Sequence, residues 1–365
     1  MMQNQVSDYR FTSHGPDAST TPVKTGRVRT YKGAYISITS LCNTDVCTYC
    51  YARDQKTESH TMPIELFREI LDRLQEVSDF PEVYLVGGEP TVISQLDQYL
   101  AEIERRNWTT TIYTNGGFNA KRRDMMLASP AVRRIVFHYD ELLFDKFKWL
   151  RSRWEDNLRT MGTKCETSIN GVIDGPDFPL IELVDLAADH GAALTWIFAT
   201  PTSGGTPFLG LGQMRELGPV VQRMLLHAVE RGVKTSPDLP IPLCIFEPDF
   251  LKEYGERFAL IRRCQPFAYF HVDGRVSYCT AMPVYTAPRP ADAEQLAQTI
   301  ERHREHDRQL KQQPSFPECV TCEAHIKQVC QGGCMTYKVY GKTPAPKDNR
   351  VFIDLSVPPS PNRDA

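Results

Sequence analysis

The sequence predicts an α/β fold built on a parallel sheet, followed by a small cysteine-rich C-terminal region. Two observations predict it. Between residues 34 and 235, short β-branched and aromatic runs alternate with amphipathic helical stretches, about six strand–helix units in all. The pattern then breaks in the Pro-rich stretch Lys234–Pro248, and seven of the eleven cysteines lie at or beyond Cys244. Six units are too few for a complete eight-stranded barrel.

The elements follow in order. Ala34–Thr39 reads as a strand, and Pro63–Val77 as a helix with Pro in its first turn and Ile64, Phe67, Ile70, Leu71 and Leu74 on one face. Val83–Val86 is a short buried strand, Ile93–Arg105 a helix and Thr109–Thr114 a strand. Val132–Phe137 is the next strand, with a helical stretch from Leu142 to Leu158 after it. Strands at Cys165–Ile173 and Leu194–Thr200 alternate with helices at Leu180–Ala188 and Met214–Val229. The expected divisions are a polar tail at 1–30, the α/β domain at 31–235, the cysteine-rich domain at 236–345 and a Pro-rich tail at 346–365.

Composition narrows the function. A net charge of −3 gives no reason to expect nucleic acid or an anionic membrane as partner. No run of 18 apolar residues exists to span a bilayer, and the first residues have no apolar signal-peptide core. The expected location is therefore the cytoplasm, where cysteines at regular spacing more often bind metal than form disulfides.

The densest chemistry is in SITSLCNTDVCTYCYARD, residues 37–54, where Cys42, Cys47 and Cys50 follow a strand directly. Three soft sulfur ligands select zinc or an iron–sulfur cluster. No fourth Cys or His sits in the loop, and His60 is the nearest candidate. Three ligands leave one metal position open for substrate or cofactor. Gly87-Gly88-Glu89-Pro90-Thr91 ends the second strand, where parallel sheets bind ligands, and its glycines permit a close approach. An ordinary Gly-rich turn is the alternative; the stretch lacks the nucleotide-binding glycine patterns.

Together these stretches resemble the radical S-adenosylmethionine (radical SAM) family, whose signature is C-x3-C-x2-C with an aromatic before the last Cys, here Tyr49. This loop departs by one residue, with four between Cys42 and Cys47. The resemblance implies an open partial barrel, (β/α)6, a 4Fe–4S cluster on Cys42, Cys47 and Cys50, and S-adenosylmethionine on its open iron. It implies that the Gly87, Gly88, Glu89, Pro90 motif holds the cofactor's amino group, with the Glu89 carboxylate offered to it. Thr114-Asn115-Gly116 resembles a family turn, and Ser168 and Asn170 stand where family members bind the cofactor's ribose or carboxylate. Turn and capping roles compete for each of these four polar residues. His138, Tyr139 and Asp140 form a polar strand end that reaches toward substrate or, for Asp140, caps a helix. Tyr139, Trp196 and Phe198 read as core, as does Cys165.

The C-terminal cysteines resemble the family's SPASM extension. QPFAYFHVDGRVSYC reads as a hairpin with Asp273-Gly274 at its turn, which brings Cys264 and Cys279 together. Cys319-x2-Cys322-x7-Cys330-x3-Cys334 follows, with seven residues where the family has five and no further Cys downstream. The resemblance implies a first auxiliary 4Fe–4S cluster on Cys264, Cys279, Cys334 and Cys244. It implies a second on Cys319, Cys322 and Cys330, whose fourth ligand is missing or is not a Cys. A pair of structural zinc ribbons is the alternative.

The resulting expectation is a radical SAM/SPASM oxidoreductase that cleaves S-adenosylmethionine reductively and abstracts hydrogen from a peptide. A crosslink in a ribosomally made precursor peptide is the leading outcome, with an external electron donor such as flavodoxin or ferredoxin. The alternatives are a formylglycine-type sulfatase maturase, a small-molecule dehydrogenase, or, outside enzymes, a zinc-stabilised binding or scaffold protein.

Overall fold

The computed structural model describes residues 33–44, 47–52, 60–260, 263–264 and 267–341. The tails expected at 1–30 and 346–365 lie outside the described residues. Parallel strands β1 (Ala34–Thr39), β2 (Glu82–Gly87), β3 (Thr109–Thr114), β4 (Val132–Tyr139), β5 (Glu166–Ile173), β6 (Ala193–Phe198) and β7 (Thr235–Pro237) each pair with the next. Helices α1 (Ile64–Val77), α2 (Leu96–Glu104), α3 (Ala120–Ala128), α4 (Glu141–Lys146), α5 (Lys148–Met161), α6 (Leu180–Asp189) and α7 (Leu211–Glu230) connect them. Each α/β crossover buries one helix stripe, such as Leu66, Phe67, Ile70, Leu71, Leu74 and Val77 of α1.

Strand β7 falls in the stretch that reads as a linker. It is three residues long and contains Pro237, so neither alternation nor β-propensity marks it. The helical stretch from Leu142 is two helices, broken where Phe147 leaves the helical region (φ −118°, ψ 78°). The break turns Trp154 under Phe137 and Tyr139, with edge-on ring contacts at 5.7 and 6.0 Å. Tyr139, Trp196 and Phe198 are all buried.

The inner face of the sheet is polar. Side chains alternate across a strand, and register sets Tyr35 beside Tyr84, Arg134 beside Glu166, His138 beside Asn170 and Asn170 beside Thr195. Tyr35 stacks on Tyr84 at 4.5 Å and on Phe267 at 4.3 Å. Asp238, just past β7, acts electrostatically on both Tyr35 and Tyr113. One end of the strand order thus faces the other across a lumen, as in an open, curled barrel.

The C-terminal region continues the same sheet. After α8 (Pro248–Tyr254), β8 (Tyr269–Phe270) pairs parallel with β1, in the register Tyr35 with Tyr269 and Ile36 with Phe270. β9 (Val276–Ser277) and β10 (Thr286–Ala287) follow antiparallel. The hairpin turns where expected: Gly274 takes φ +84°, and its N–H reaches His271 O at 2.8 Å. Helix α9 (Ala293–Gln312) packs against α1, and short helices α10 (Glu323–Ile326) and α11 (Thr336–Val339) follow. Asp292 caps α9 by accepting from Gln295 N at 2.8 Å.

His271 joins the hairpin's three strands. Its Nε2 bonds Ser277 Oγ, which bonds Thr286 Oγ1 at 2.7 Å. Burial, with Arg275 adding to it and Asp273 opposing, lowers the imidazole pKa to about 4. Above the unfolded value of about 6.5 both states are neutral; below it the unfolded chain takes the proton first. We therefore expect stability to fall as pH drops from about 6.5 to 4, by about 3 kcal/mol from this residue. Urea titrations across that window, with His271→Gln as the comparison, check it: the variant's pH dependence should be shallower by that amount, and an unchanged slope refutes the assignment.

Candidate cofactor and metal-ligating sites

The cysteine loop leaves β1 and is held by the end of β2. Gly88 N–H donates to Thr39 O (2.8 Å) and Glu89 N–H to Leu41 O (2.7 Å). A Cβ on Gly87 would stand 2.1 Å from Thr39 O, and one on Gly88 2.1 Å from Leu41 O. What approaches these glycines so closely is the root of the cysteine loop itself. The far side returns along β1, with Ser40 N–H donating to His60 O (2.9 Å). His60 Nδ1 faces Ser40 Oγ at 3.3 Å rather than a cysteine sulfur.

Glu89 is 1% exposed, and four donors converge on its carboxylate. Oε1 accepts from Thr91 N (3.0 Å), Thr91 Oγ1 (2.6 Å) and Thr114 Oγ1 (2.8 Å); Oε2 accepts from Asn115 N (2.6 Å). Burial pushes its pKa up while these donors pull it down. The carboxylate therefore ties the end of β2 to the end of β3. Pro90 opens the helical turn Pro90–Val92 that positions Thr91. Asn115 carries the tie onward: its Nδ2 donates to Asn43 Oδ1 (2.7 Å) and lies 3.4 Å from Thr44 Oγ1, and Thr44 Oγ1 is 3.3 Å from Cys42 Sγ. Asn43 and Thr44 belong to the longer Cys42–Cys47 gap, so Asn115 anchors the departure from the usual spacing.

Cys47 feels both Cys50 and Cys42, and burial pushes its thiol pKa well up. Tyr49 is fixed over the lumen by His138 of β4 and by Asp140 just beyond it. Its hydroxyl donates to Asp140 Oδ2 (2.7 Å), and His138 Nε2 lies 3.1 Å away. Burial lowers the His138 pKa and favours the neutral ring. Asp140 Oδ1 meanwhile caps α4 through Leu142 N (2.9 Å) and Leu143 N (3.3 Å). Capping and site roles thus coexist in Asp140. Sulfur, nitrogen and oxygen of Cys47, His138 and Asp140 gather within 4.8 Å.

Ser168 and Asn170 do share the lumen face of β5, and Asn170 Nδ2 donates to Thr195 Oγ1 (3.0 Å). Thr195 was not legible as a site residue; its signal is the polar position in an otherwise apolar strand. Cys165 packs apart from these groups, with Sγ donating to Met161 O (3.3 Å).

The seven C-terminal cysteines fall into two groups. Cys264, Cys279 and Cys334 interact with one another, Cys264 being pushed up to about 12 by burial. Cys244 is not with them, contrary to the sequence expectation. It acts on Cys319 and Cys330 instead, and Cys322 acts on Cys319. The reason is packing: the turn Leu243–Ile245 lies on the Cys330–Gly333 segment. Arg215 Nη2 is 3.6 Å from Cys244 Sγ. Lys338, buried between the groups, donates to Leu310 O (2.9 Å) at the end of α9 and feels Cys319, Cys330 and Cys264. Burial lowers its pKa to about 8. Neither Arg215 nor Lys338 stands out in the sequence, where each is one cation among many.

These residues fit the groups the sequence implied. Three convergent thiols at the mouth of a lumen suit a cluster with one open iron, and half-buried Asn170, Thr195 and His138 leave polar atoms for a ligand beside it. Residues 36–172 match the model of the radical SAM superfamily. Over 112 residues the chain is 31% identical to the tungsten-containing aldehyde ferredoxin oxidoreductase cofactor-modifying protein of Pyrococcus furiosus, covering 30% of this chain and 31% of that protein. The match thus spans under a third of that relative's length. SuiB of Streptococcus suis, solved with its precursor peptide SuiA, superposes at TM-score 0.64 and 16% identity, over 90% of this chain and 76% of its own. The enzyme anSMEcpe, solved with bound AdoMet, gives TM-score 0.62 and 16% identity, over 84% and 89%. At such identities the structural likeness speaks for the fold.

The Glu89 clamp makes a direct prediction. Glu89→Ala leaves buried donors on Thr91, Thr114 and Asn115 without an acceptor, and should cost about 3 kcal/mol of stability. Denaturant unfolding measures this. A change below about 0.5 kcal/mol would mean the four bonds do not hold β2 to β3.

Proposed function

We propose that this chain, whose residues 36–172 match the model of the radical SAM superfamily, is an oxidoreductase that modifies a peptide. The observation that carries the reading is the joint built by Gly88 and Glu89, which locks the cysteine loop against the lumen mouth. A 4Fe–4S cluster on Cys42, Cys47 and Cys50, with S-adenosylmethionine on its open iron, supplies a hydrogen-abstracting radical when an electron arrives. The chain's own residues bind and orient. Tyr49 closes one side of the site, held by His138 and Asp140. Ser168, Asn170 and Thr195 would hold the cofactor's polar groups along the lumen, and Tyr35, Tyr84 and Tyr113 would help to exclude water.

The peptide substrate is supported by two proteins of the same fold, SuiB solved with its precursor peptide and anSMEcpe solved with AdoMet and a peptide. A crosslink within a ribosomally made precursor is the product we favour, with the C-terminal cysteines holding auxiliary iron–sulfur clusters. Electrons come from a small external carrier of flavodoxin or ferredoxin type.

Replacing Cys42, Cys47 and Cys50 together by Ala should abolish reductive cleavage of S-adenosylmethionine. Anaerobic reconstitution followed by quantification of 5′-deoxyadenosine tests this. Cleavage retained in the triple variant sinks the proposal. So does a colourless wild-type protein whose metal is zinc, since zinc has no redox chemistry.

A further inference from the structure

We propose that Cys244 is the fourth thiolate of a 4Fe–4S site formed with Cys319, Cys322 and Cys330, and that Arg215 is its cationic hydrogen-bond partner. The inference rests on the iron–sulfur reading above and reassigns a ligand within it.

The turn that carries Cys244 is clamped from both sides. On one side is α7. A Cβ on Gly218 would stand 2.0 Å from Ile245 O, so this position admits the turn because it is glycine. One turn earlier Arg215 reaches Cys244 Sγ at 3.6 Å, and one turn later Gln222 Oε1 accepts from Glu247 N at 3.2 Å. Arg215, Gly218 and Gln222 therefore form one helix face that fits this turn. On the other side is the cysteine segment. Leu243 N–H bonds the Cys330 sulfur, and a Cβ on Gly333 would meet the Pro242 ring at 3.2 Å.

The other three sulfurs are gathered by the same backbone. Gly332 N–H donates to Cys330 Sγ (3.3 Å), and a Cβ on Gly332, where φ is +74°, would lie 3.1 Å from Cys319 Sγ. Cys322 N–H donates to Cys319 O (3.3 Å), the tight turn of a C-x2-C pair. Backbone N–H groups and a guanidinium aimed at sulfur are what stabilises an anionic thiolate cluster. Each thiol gives up its proton on ligation.

The test uses the full chain, reconstituted without oxygen, and iodoacetamide as the thiol probe, with each cysteine followed by peptide mass spectrometry. Cys244 is exposed, so a free thiol there should alkylate readily. In the iron-loaded wild type we expect its labelling to be about tenfold slower than after iron is stripped. Cys319→Ala should unmask it and Cys264→Ala should not. Fast labelling of Cys244 in the loaded wild type overturns the proposal, as does unmasking by Cys264→Ala alone.

A serine series decides the matter if both alanine variants unmask the thiol. Cys244→Ser should shift the same electron paramagnetic resonance signal as Cys322→Ser, and a shift shared with Cys264→Ser instead refutes the assignment. Arg215→Gln should lower the reduction potential of that one cluster. Loss of S-adenosylmethionine cleavage with Cys244 still protected would count against the proposed activity and leave this ligand in place.

Discussion

Strand β1 fixes the geometry of this chain. It pairs with β2 along its length on one side and, through Tyr35 and Ile36, with β8 on the other. Its C-terminal end becomes the loop of Cys42, Cys47 and Cys50. The β2 edge delivers Gly87–Glu89 to that loop, and the β8 edge delivers the hairpin whose ends are Cys264 and Cys279. Tyr269 makes the connection concrete: its side chain bonds Ser37 of β1 and senses both Cys50 and Cys279. The two cysteine-rich regions are therefore held by one strand and are not separate bodies joined by a linker. Among the described residues no helix is long and apolar enough to cross a membrane.

Much of the barrel was legible because its strands carry local, period-two information. β1 and β3 begin and end where the sequence placed them, and the Asp273-Gly274 turn folds as its residues require. What failed was information held by distant partners. α9 escaped notice because its buried stripe includes Thr299, His303 and Asp307, polar residues that reach the core only by finding partners such as Tyr285 O and Tyr278 Oη. The tie from Glu89 to Thr114 and Asn115 was hidden in the same way, by sequence distance. Cys244 was placed with the first group because the family resemblance implies a ligand upstream of the hairpin, whereas the packing of its turn depends on the absence of a side chain at Gly218 and Gly333.

The sites also share an electrostatic design. Burial raises the pKa of Cys47, Cys264, Cys279 and Cys334, so these thiols hold their protons until a metal takes the sulfur. If these groups take up metal as proposed, the negative charge of the thiolates would meet cations already in place. Arg215 stands at the outer group, and Lys338 lies between the two groups, anchored on carbonyls at the end of α9.

The pairing of β1 with β8 has a consequence for how the chain is made. Tyr35 leaves the ribosome early, yet its partner Tyr269 follows only after every other parallel strand has been synthesised. Until then one edge of the central strand is bare, the kind of edge that recruits foreign strands. The topology is therefore one of high contact order, slow to close and vulnerable while it waits. Metal delivered to the N-terminal loop before the hairpin docks would meet an incomplete wall, with the position of Tyr269 still empty. Assembly of the first cluster is best deferred until translation is nearly finished, and truncation anywhere before the hairpin should harm the N-terminal half as much as the part removed.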